Sequence, residues 1–382
     1  MERMVKVCIV NTSSDTFGHP IPYMNFLSTL FKESGYEVFI KDLSKHPMTQ
    51  FILPAKDSLG KQLFSLLKNL SENIKKHNSI LQMSRNYDIM YFHGSGGLLI
   101  YFLSVFYSKK TVGKFIFTHH DSAESGIRVL HIHRNLKQFI WKVGIRLIAS
   151  RVKAIVVLEE CYKEYMIQHY GVKSEYIHVL PNYYLPEYSP EANKNNKLGS
   201  IRDVDVLFIG TIQKAKGVDI FVDVLSDVRV PLKVMIAGGM VPEKDEEFVN
   251  QLNEKINGFK NPLVGLHFIF RHLERDEYEY LISIAKTVIF PYRVTRDPAA
   301  SGVFWDVMKF GKPIIAPYQP PFQYYFDTYN IGVNYLPDDK ESLFLLLSKF
   351  HKINWKEYAS NIEIMRKDYS KEQLIRRMNE IL

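Results

Sequence analysis

Apolar residues in this chain arrive in short, nearly continuous runs, and between them lie either polar loops or stretches with three-and-four spacing. VKVCIVNTS opens the series, followed by a polar loop (SSDTFGHP), a helical stretch from about Tyr23 to Glu33, a stop at Gly35 and a second run, EVFIKDL. That order is a β-α-β unit, because runs without alternation belong to strands buried on both faces. DIMYFHG, KFIFTHHD, AIVVLEE and YIHVLPN continue the rhythm of a parallel sheet with crossover helices. Between Pro186 and Asp203 the chain turns polar, Asn-rich and poor in apolar residues, as a connection between domains does.

The pattern then restarts. VDVLFIGTIQ leads to a helix from about Gly217 to Leu225, then come VPLKVMIAGG, a helix from about Glu246 to Ile256, GLHFIFRHL, and a short helix near Glu277 to Ile284. TVIFPY, a helix from Val303 to Phe310, and KPIIAPY complete the restart, and KEQLIRRMNEIL closes the chain as a helix. The expected fold is therefore α/β, with two doubly wound Rossmann-like domains facing across a cleft. Residues 1–186 form the first domain and 187–203 a linker. Residues 204–366 form the second, and 367–382 a terminal helix that can return to the first.

Composition changes this picture little, but charge does. The 382 residues carry a formal net charge of +8, and a 46% hydrophobic content excludes wholesale disorder. Residues 1–186 hold 23 Lys and Arg against 14 Asp and Glu, whereas residues 187–382 hold 26 against 27. Ten basic and two acidic residues fall between Lys109 and Lys153, a density that attracts phosphate-rich partners. Nucleic acid does not fit, since neither a zinc-finger spacing nor interleaved aromatics appear. From Leu136, the positions Phe139, Ile140, Val143, Leu147 and Ile148 follow helical spacing, beside Arg134, Lys137, Lys142 and Arg146. Two readings stand: a helix lying on an anionic membrane surface, or a core-facing helix with a solvated basic side. No stretch offers about 18 uncharged apolar residues for a spanning helix, and the N-terminus lacks the pattern of a secretory signal. Two cysteines, Cys8 and Cys161, can build neither a disulfide framework nor a thiolate metal site. A cytoplasmic protein is the expectation, peripheral on the inner face of the plasma membrane under the first of these two readings.

In open α/β folds ligands bind beyond the carboxyl ends of the strands, so candidate chemistry is sought there. Ser301 and Gly302 precede the apolar run Val303, Phe304, Trp305, Val307 and Met308, which places them at a helix N-terminus able to hold an anion. Asp306 follows one turn later, in reach of sugar hydroxyls. After the first strand of the second half, Gly210 permits close backbone approach and Lys216 can set a point charge on a phosphate. Each feature alone is also what an ordinary N-cap, helix carboxylate or strand turn looks like. His119 and His120 divide between a core position and a strand-end position, and His93 ends another strand. Glu159 and Glu160 read as a helix start, and Asn182 as a turn. The pair Asp203 and Asp205 stands before a strand rather than after it, the wrong end of the sheet for a metal at the cleft.

Taken in chain order, THHD (118–121), VLPN (179–182), GTIQKAKG, VMIAGG (234–239), FPYR, the Ser-Gly pair and DVMKFGKPIIA resemble the GT-B glycosyltransferases, in particular glycosyltransferase family 4. The resemblance spans both halves. It implies a retaining enzyme that uses a nucleotide-diphosphate sugar and needs no metal. Lys216 then matches the lysine on the donor diphosphate, and Ser301, Gly302 and Val303 the helix start that shares it. Asp306 matches the carboxylate on the nucleotide ribose. His120 with Asp121 matches the catalytic histidine near the transferred sugar, and Gly18 the first loop. Gly210, Thr211, Arg271 and Arg293 complete the donor-binding set.

Three positions depart from the family pattern. Thr211 stands where an arginine is usual, with Arg293 or Arg296 as substitutes. Pro298, beside Asp297, replaces a sugar-contacting glutamate, and Asp306 is one methylene shorter than the usual glutamate. The implied function is transfer of a sugar to a polysaccharide or lipid-linked oligosaccharide acceptor. Thr211 and Pro298 motivate the alternative, a catalytically degenerate GT-B binding or scaffold protein. An epimerase would need further acid and base residues that the sequence does not offer.

Overall fold

A computed structural model describes residues 3–11, 20–42, 78–93, 107–119, 134–181, 183–187, 189–193, 197–240, 246–294 and 301–382. The chain divides into two units, one built from Met1–Tyr184 with Lys371–Leu382 and one from Leu185–Arg296 with Ser301–Ser370.

The first unit carries β1 (Lys6–Asn11), β2 (Glu37–Asp42), β3 (Ile89–His93), β4 (Phe115–His119), β5 (Ala154–Val157) and β6 (Ile177–Val179) in a parallel sheet ordered β2-β1-β3-β4-β5-β6. β1, β3, β4 and β5 are buried almost throughout, the reason their sequences read as continuous apolar runs. Helix α1 (Pro20–Glu33) covers one face with Leu27, Leu30 and Phe31. Helix α2 (Arg134–Ala149) precedes β5, and α3 (Glu160–Tyr165) follows it.

The predicted stripe on α2 holds at Ile148 and is corrected at Val143 and Leu147, while the side chains of Phe139 and Ile140 lie outside the described ones. Among the described side chains of the helix, Ile145, Ile148 and Ala149 enter the core, continued by Val152. Val143 and Leu147 instead point outward, 39% and 48% exposed, next to Lys142 and Arg146. The helix carries apolar side chains around most of its circumference, so spacing alone could not select the buried seam. Arg146 donates from Nε to the carbonyl of Tyr170 and is thereby anchored.

The second unit carries β7 (Val204–Ile209), β8 (Leu232–Ala237), β9 (Val264–Ile269), β10 (Ala285–Ile289), β11 (Ile314–Pro317) and β12 (Gly332–Tyr335), parallel and ordered β12-β11-β10-β7-β8-β9. From β7 the chain winds outward through β8 and β9, then returns to β10 and winds the other way. The reversal lies between β7 and β10, the topological switch point where a doubly wound sheet opens a crevice. Helices α4 (Val218–Asp227) and α5 (Glu246–Asn257) pack on one face through Val218, Phe221, Val222, Leu225, Phe248 and Leu252. Helices α6 (Arg275–Ile284), α7 (Gly302–Lys309), α8 (Phe322–Tyr329), α9 (Lys340–Ser348) and α10 (Trp355–Asp368) follow in turn. The described residues of the expected 187–203 connection group with this unit, and so does Leu185, expected in the first domain. Tyr280 donates its hydroxyl to the Ile201 carbonyl at 2.9 Å, and Leu185 donates its amide to the Tyr369 carbonyl at 2.8 Å.

The last helix, α11 (Lys371–Ile381), belongs to the first unit. Its Leu374, Met378 and Ile381 join the core formed by β1 and α1, and Lys371 pairs with Glu33. Three apolar side chains buried at about 1.5–3 kcal/mol each explain why the chain end is held there.

Candidate functional site

Two glycines at strand ends and one at a helix start shape the backbone at the carboxyl ends of β7, β8 and β10 in the second unit. Gly210, just past β7, has φ +129°, and a Cβ placed there would lie 3.1 Å from the Val303 side chain. Gly238, past β8, has φ +153°, and its Cβ would fall 1.7 Å from the Gly210 carbonyl oxygen, so the two turns touch backbone to backbone. At Gly217, where α4 begins with φ +64°, a Cβ would fall 1.8 Å from the Pro291 carbonyl, which locks α4 against the chain leaving β10.

That contact brings the predicted cation to the predicted helix start. The Lys216 ammonium lies 3.7 Å from the centre of the Tyr292 ring, and the Tyr292 hydroxyl lies 3.2 Å from Ser301 Oγ. Ser301 is the buried N-cap of α7 and accepts from the Phe304 amide at 3.4 Å. Gly302 and Val303 follow in the first turn, whose amides have no carbonyl one turn earlier in the helix. The helix is seated by Phe304, Trp305, Val307 and Met308, and ends at Gly311 with φ +63°. Phe290, Tyr292, Phe304 and Phe322 support it from below as an aromatic cluster. Gly210, Lys216, Tyr292, Ser301, Gly302 and Val303 therefore share one small region at the carboxyl end of β7 and β10. An anion there would meet a lysine, helix amides and the positive end of the α7 dipole.

Asp306 stands on the next turn of α7, but not as an open carboxylate. Arg275 Nη2 donates to Oδ1 at 3.0 Å, Arg275 Nη1 to Oδ2 at 3.4 Å, and the Tyr278 hydroxyl to Oδ2 at 3.2 Å. Arg271, at the end of β9, donates to both oxygens of Glu277 at 2.7 and 2.8 Å. Glu277 also accepts from the Glu274 amide at 3.1 Å and so closes the start of α6. The Arg271 guanidinium beside it draws the Glu277 carboxyl down to about 2. Arg271 thus anchors α6. Arg293 is tied in a similar way: its Nε donates to the Lys214 carbonyl at 3.1 Å and its Nη2 pairs with Asp219. It fastens the chain after β10 to the turn before α4, and Thr211 at the end of β7 is exposed. Arg296, Asp297 and Pro298 lie outside the described residues.

In the first unit, Gly18, His120, Asp121 and Asn182 also lie outside the described residues. His119 ends β4 and is buried, 3% exposed. The carboxyl ends of β1, β3 and β4 carry buried Asn11, His93 and His119, and buried Glu159 follows β5 as the N-cap of α3. Asn11 donates to Asp42 at 3.0 Å, and the His93 ring lies 4.7 Å from that of Tyr23. Burial raises the Glu160 carboxyl. At the opposite end of the second sheet, Asp205 accepts from the Lys233 amide at 3.0 Å, and Asp203 pairs with Lys233 at 3.7 Å.

Sequence reasoning missed three members of this region. Tyr292 was visible inside FPYR, but nothing in the run says that its ring carries a lysine. Arg275 and Tyr278 sit in a charged helix start that reads as an ordinary solvated face.

Residues 31–184 match the family model for Glycosyltransferase Family 4. No curated protein matches the chain by sequence. Among solved structures, Anabaena Alr3699/HepE in complex with UDP shares 14% identity over 98% of this chain and 99% of its own, with a TM-score of 0.67. A glycosyltransferase from Rickettsia africae shares 16% over 100% and 98%, TM-score 0.67. WaaG, a glycosyltransferase involved in lipopolysaccharide biosynthesis, shares 17% over 99% of each chain, TM-score 0.59. The motifs cited above crowd the second half, whereas the family match lies in the first, so the two lines of resemblance are complementary. This chain has the two-unit, Rossmann-like GT-B fold of solved glycosyltransferases and is similar to glycosyltransferase family 4 over residues 31–184.

Proposed function

We propose that the protein is a retaining glycosyltransferase that moves a sugar from a nucleotide-diphosphate sugar to a polysaccharide or lipid-linked oligosaccharide. One observation carries this reading: Lys216, Tyr292, Ser301 and the first amides of α7 converge at the switch point of the second sheet. As the anomeric bond breaks, negative charge gathers on the departing diphosphate. A lysine and a helix N-terminus fixed in advance stabilise that charge without a metal. The Tyr292 ring holds the ammonium by its face and leaves its N–H donors for phosphate oxygens. Asp306 holds the nucleotide ribose, and His120 with Asp121 serves the transferred sugar. Retention follows from departure and attack on one face of the sugar, with no carboxylate nucleophile assigned.

Thermal unfolding with a panel of UDP-, GDP- and ADP-sugars tests the reading. One nucleotide family is expected to raise the melting temperature, since a ligand at a hundredfold excess over its dissociation constant adds about 2.7 kcal/mol of stability by linkage. The absence of any shift would instead favour the scaffold reading, which Thr211 and Pro298 motivate.

The acceptor is read as anionic and membrane-borne because of the basic stretch 109–153 and the outward pair Val143 and Leu147 on α2. Among the described residues no helix is long and apolar enough to cross a membrane, so contact would be with the surface. Flotation with anionic liposomes is expected to succeed at low salt and to fail at 0.5 M or after charge reversal at Lys110 and Lys142. Binding indifferent to both changes would remove the electrostatic contact.

A further inference from the structure

We propose that Arg275 and Tyr278, on the first turn of α6, are positioning residues that set the Asp306 carboxylate for a ribose hydroxyl. This inference rests on the donor-site reading above. A carboxylate offers about four acceptor directions on its two oxygens. Arg275 and Tyr278 fill three of them at 3.0, 3.2 and 3.4 Å. One direction is left for a ligand, and the rotamer of Asp306 is no longer free.

The clamp is itself held. Arg275 Nε donates to Glu279 at 2.8 Å, Lys309 lies 3.6 Å from that carboxylate, and the Arg275 guanidinium carbon lies 5.4 Å from the centre of the Tyr278 ring. Burial and the adjacent Asp306 charge push the Tyr278 hydroxyl well above its ordinary range, so it remains a donor at every working pH. The arrangement has a physical purpose in this chain. Aspartate is one methylene shorter than glutamate and must reach its ligand from a fixed position, and two donors from a neighbouring helix supply that fixation.

A purely structural tie between α6 and α7 would behave differently. The experiment is calorimetric titration of the parent, Tyr278→Phe and Arg275→Gln with UDP and GDP, each beside its 2′,3′-dideoxy form. For the nucleotide that binds, the parent is expected to prefer the ribose form about tenfold or more, the equivalent of one hydrogen bond to a charged group. Each variant is expected to lose about five- to twentyfold for the ribonucleotide and less than about twofold for the dideoxy form. Equal losses for both forms, or undiminished ribose preference in either variant, overturns the proposal. If the parent binds none of UDP, GDP and, titrated in the same way, ADP in either form, the donor-site reading itself fails. Should Tyr278→Phe unfold, Arg275→Gln, whose site is 58% exposed, carries the same comparison.

Discussion

Replacing Lys216 with Met weakens donor-nucleotide binding by about ten- to a hundredfold and depresses turnover further. The ammonium is the described cation that stands at the α7 start, fixed over Tyr292 at 3.7 Å, while Arg271 and Arg293 are engaged with Glu277 and Asp219. A hydrogen bond to a charged group contributes about 1.5–3 kcal/mol, and each 1.4 kcal/mol is a tenfold change in affinity. Met keeps the aliphatic stem, so the loss reports charge rather than packing. The diphosphate becomes more negative as it leaves, so kcat falls by more than binding does. Arginine at this position restores charge but not the fit of a compact ammonium over the ring, and recovers only part of the loss. Calorimetry and initial rates across the series measure this. A dissociation constant within twofold of the parent for Lys216→Met would show that phosphate does not rest here.

Replacing Arg366 with Met lowers stability by about 3–5 kcal/mol, or about 6–20 °C in melting temperature for a unit of this size. Its side chain is 2% exposed and lies on α10. It donates to the Lys309 carbonyl at 2.7 Å, the Met308 carbonyl at 3.3 Å, Ser189 Oγ at 2.7 Å and Glu363 at 2.8 and 3.1 Å. The two carbonyls form the last turn of α7, so a buried guanidinium closes the negative end of the helix whose positive end is assigned to phosphate. Removing it strands those acceptors without water. Lysine does not rescue the loss, because a point charge cannot reach two carbonyls, a hydroxyl and a carboxylate together. Glu363 is half-exposed, and Glu363→Gln is expected to cost less than about 1 kcal/mol. A melting temperature for Arg366→Met within 2 °C of the parent would remove this helix-capping role.

Strand runs, helix spacing and the polar interruption after Pro186 were sufficient for the architecture. Parallel strands buried on both faces announce themselves by continuous apolar sequence, as the VCIV and AIVVL runs do without any partner being known. The helix start at Ser301 was equally legible, because an N-cap serine, a glycine and an apolar face are local properties. The seam of α2 was not, since Val143 and Leu147 are as apolar as Ile145 and Ile148. Only the neighbours of a helix choose which side they cover.

What the amino-acid order determined by itself, then, is each element and each local signal: strands, caps, the glycines that turn the chain, and the pairing of a lysine with a helix start as candidates. Tertiary structure decided which of these groups are at liberty to act. Arg271, Arg293 and Lys216 are alike as sequence, yet two are bound by carboxylates that the fold carries to them from other elements, and one is laid across an aromatic ring. Asp306 likewise acquires Arg275 and Tyr278 from 28 to 31 residues away. The physical reason is that the strength and availability of a charge depend on the groups within a few ångströms of it, and the return from β9 to β10 is what sets those distances.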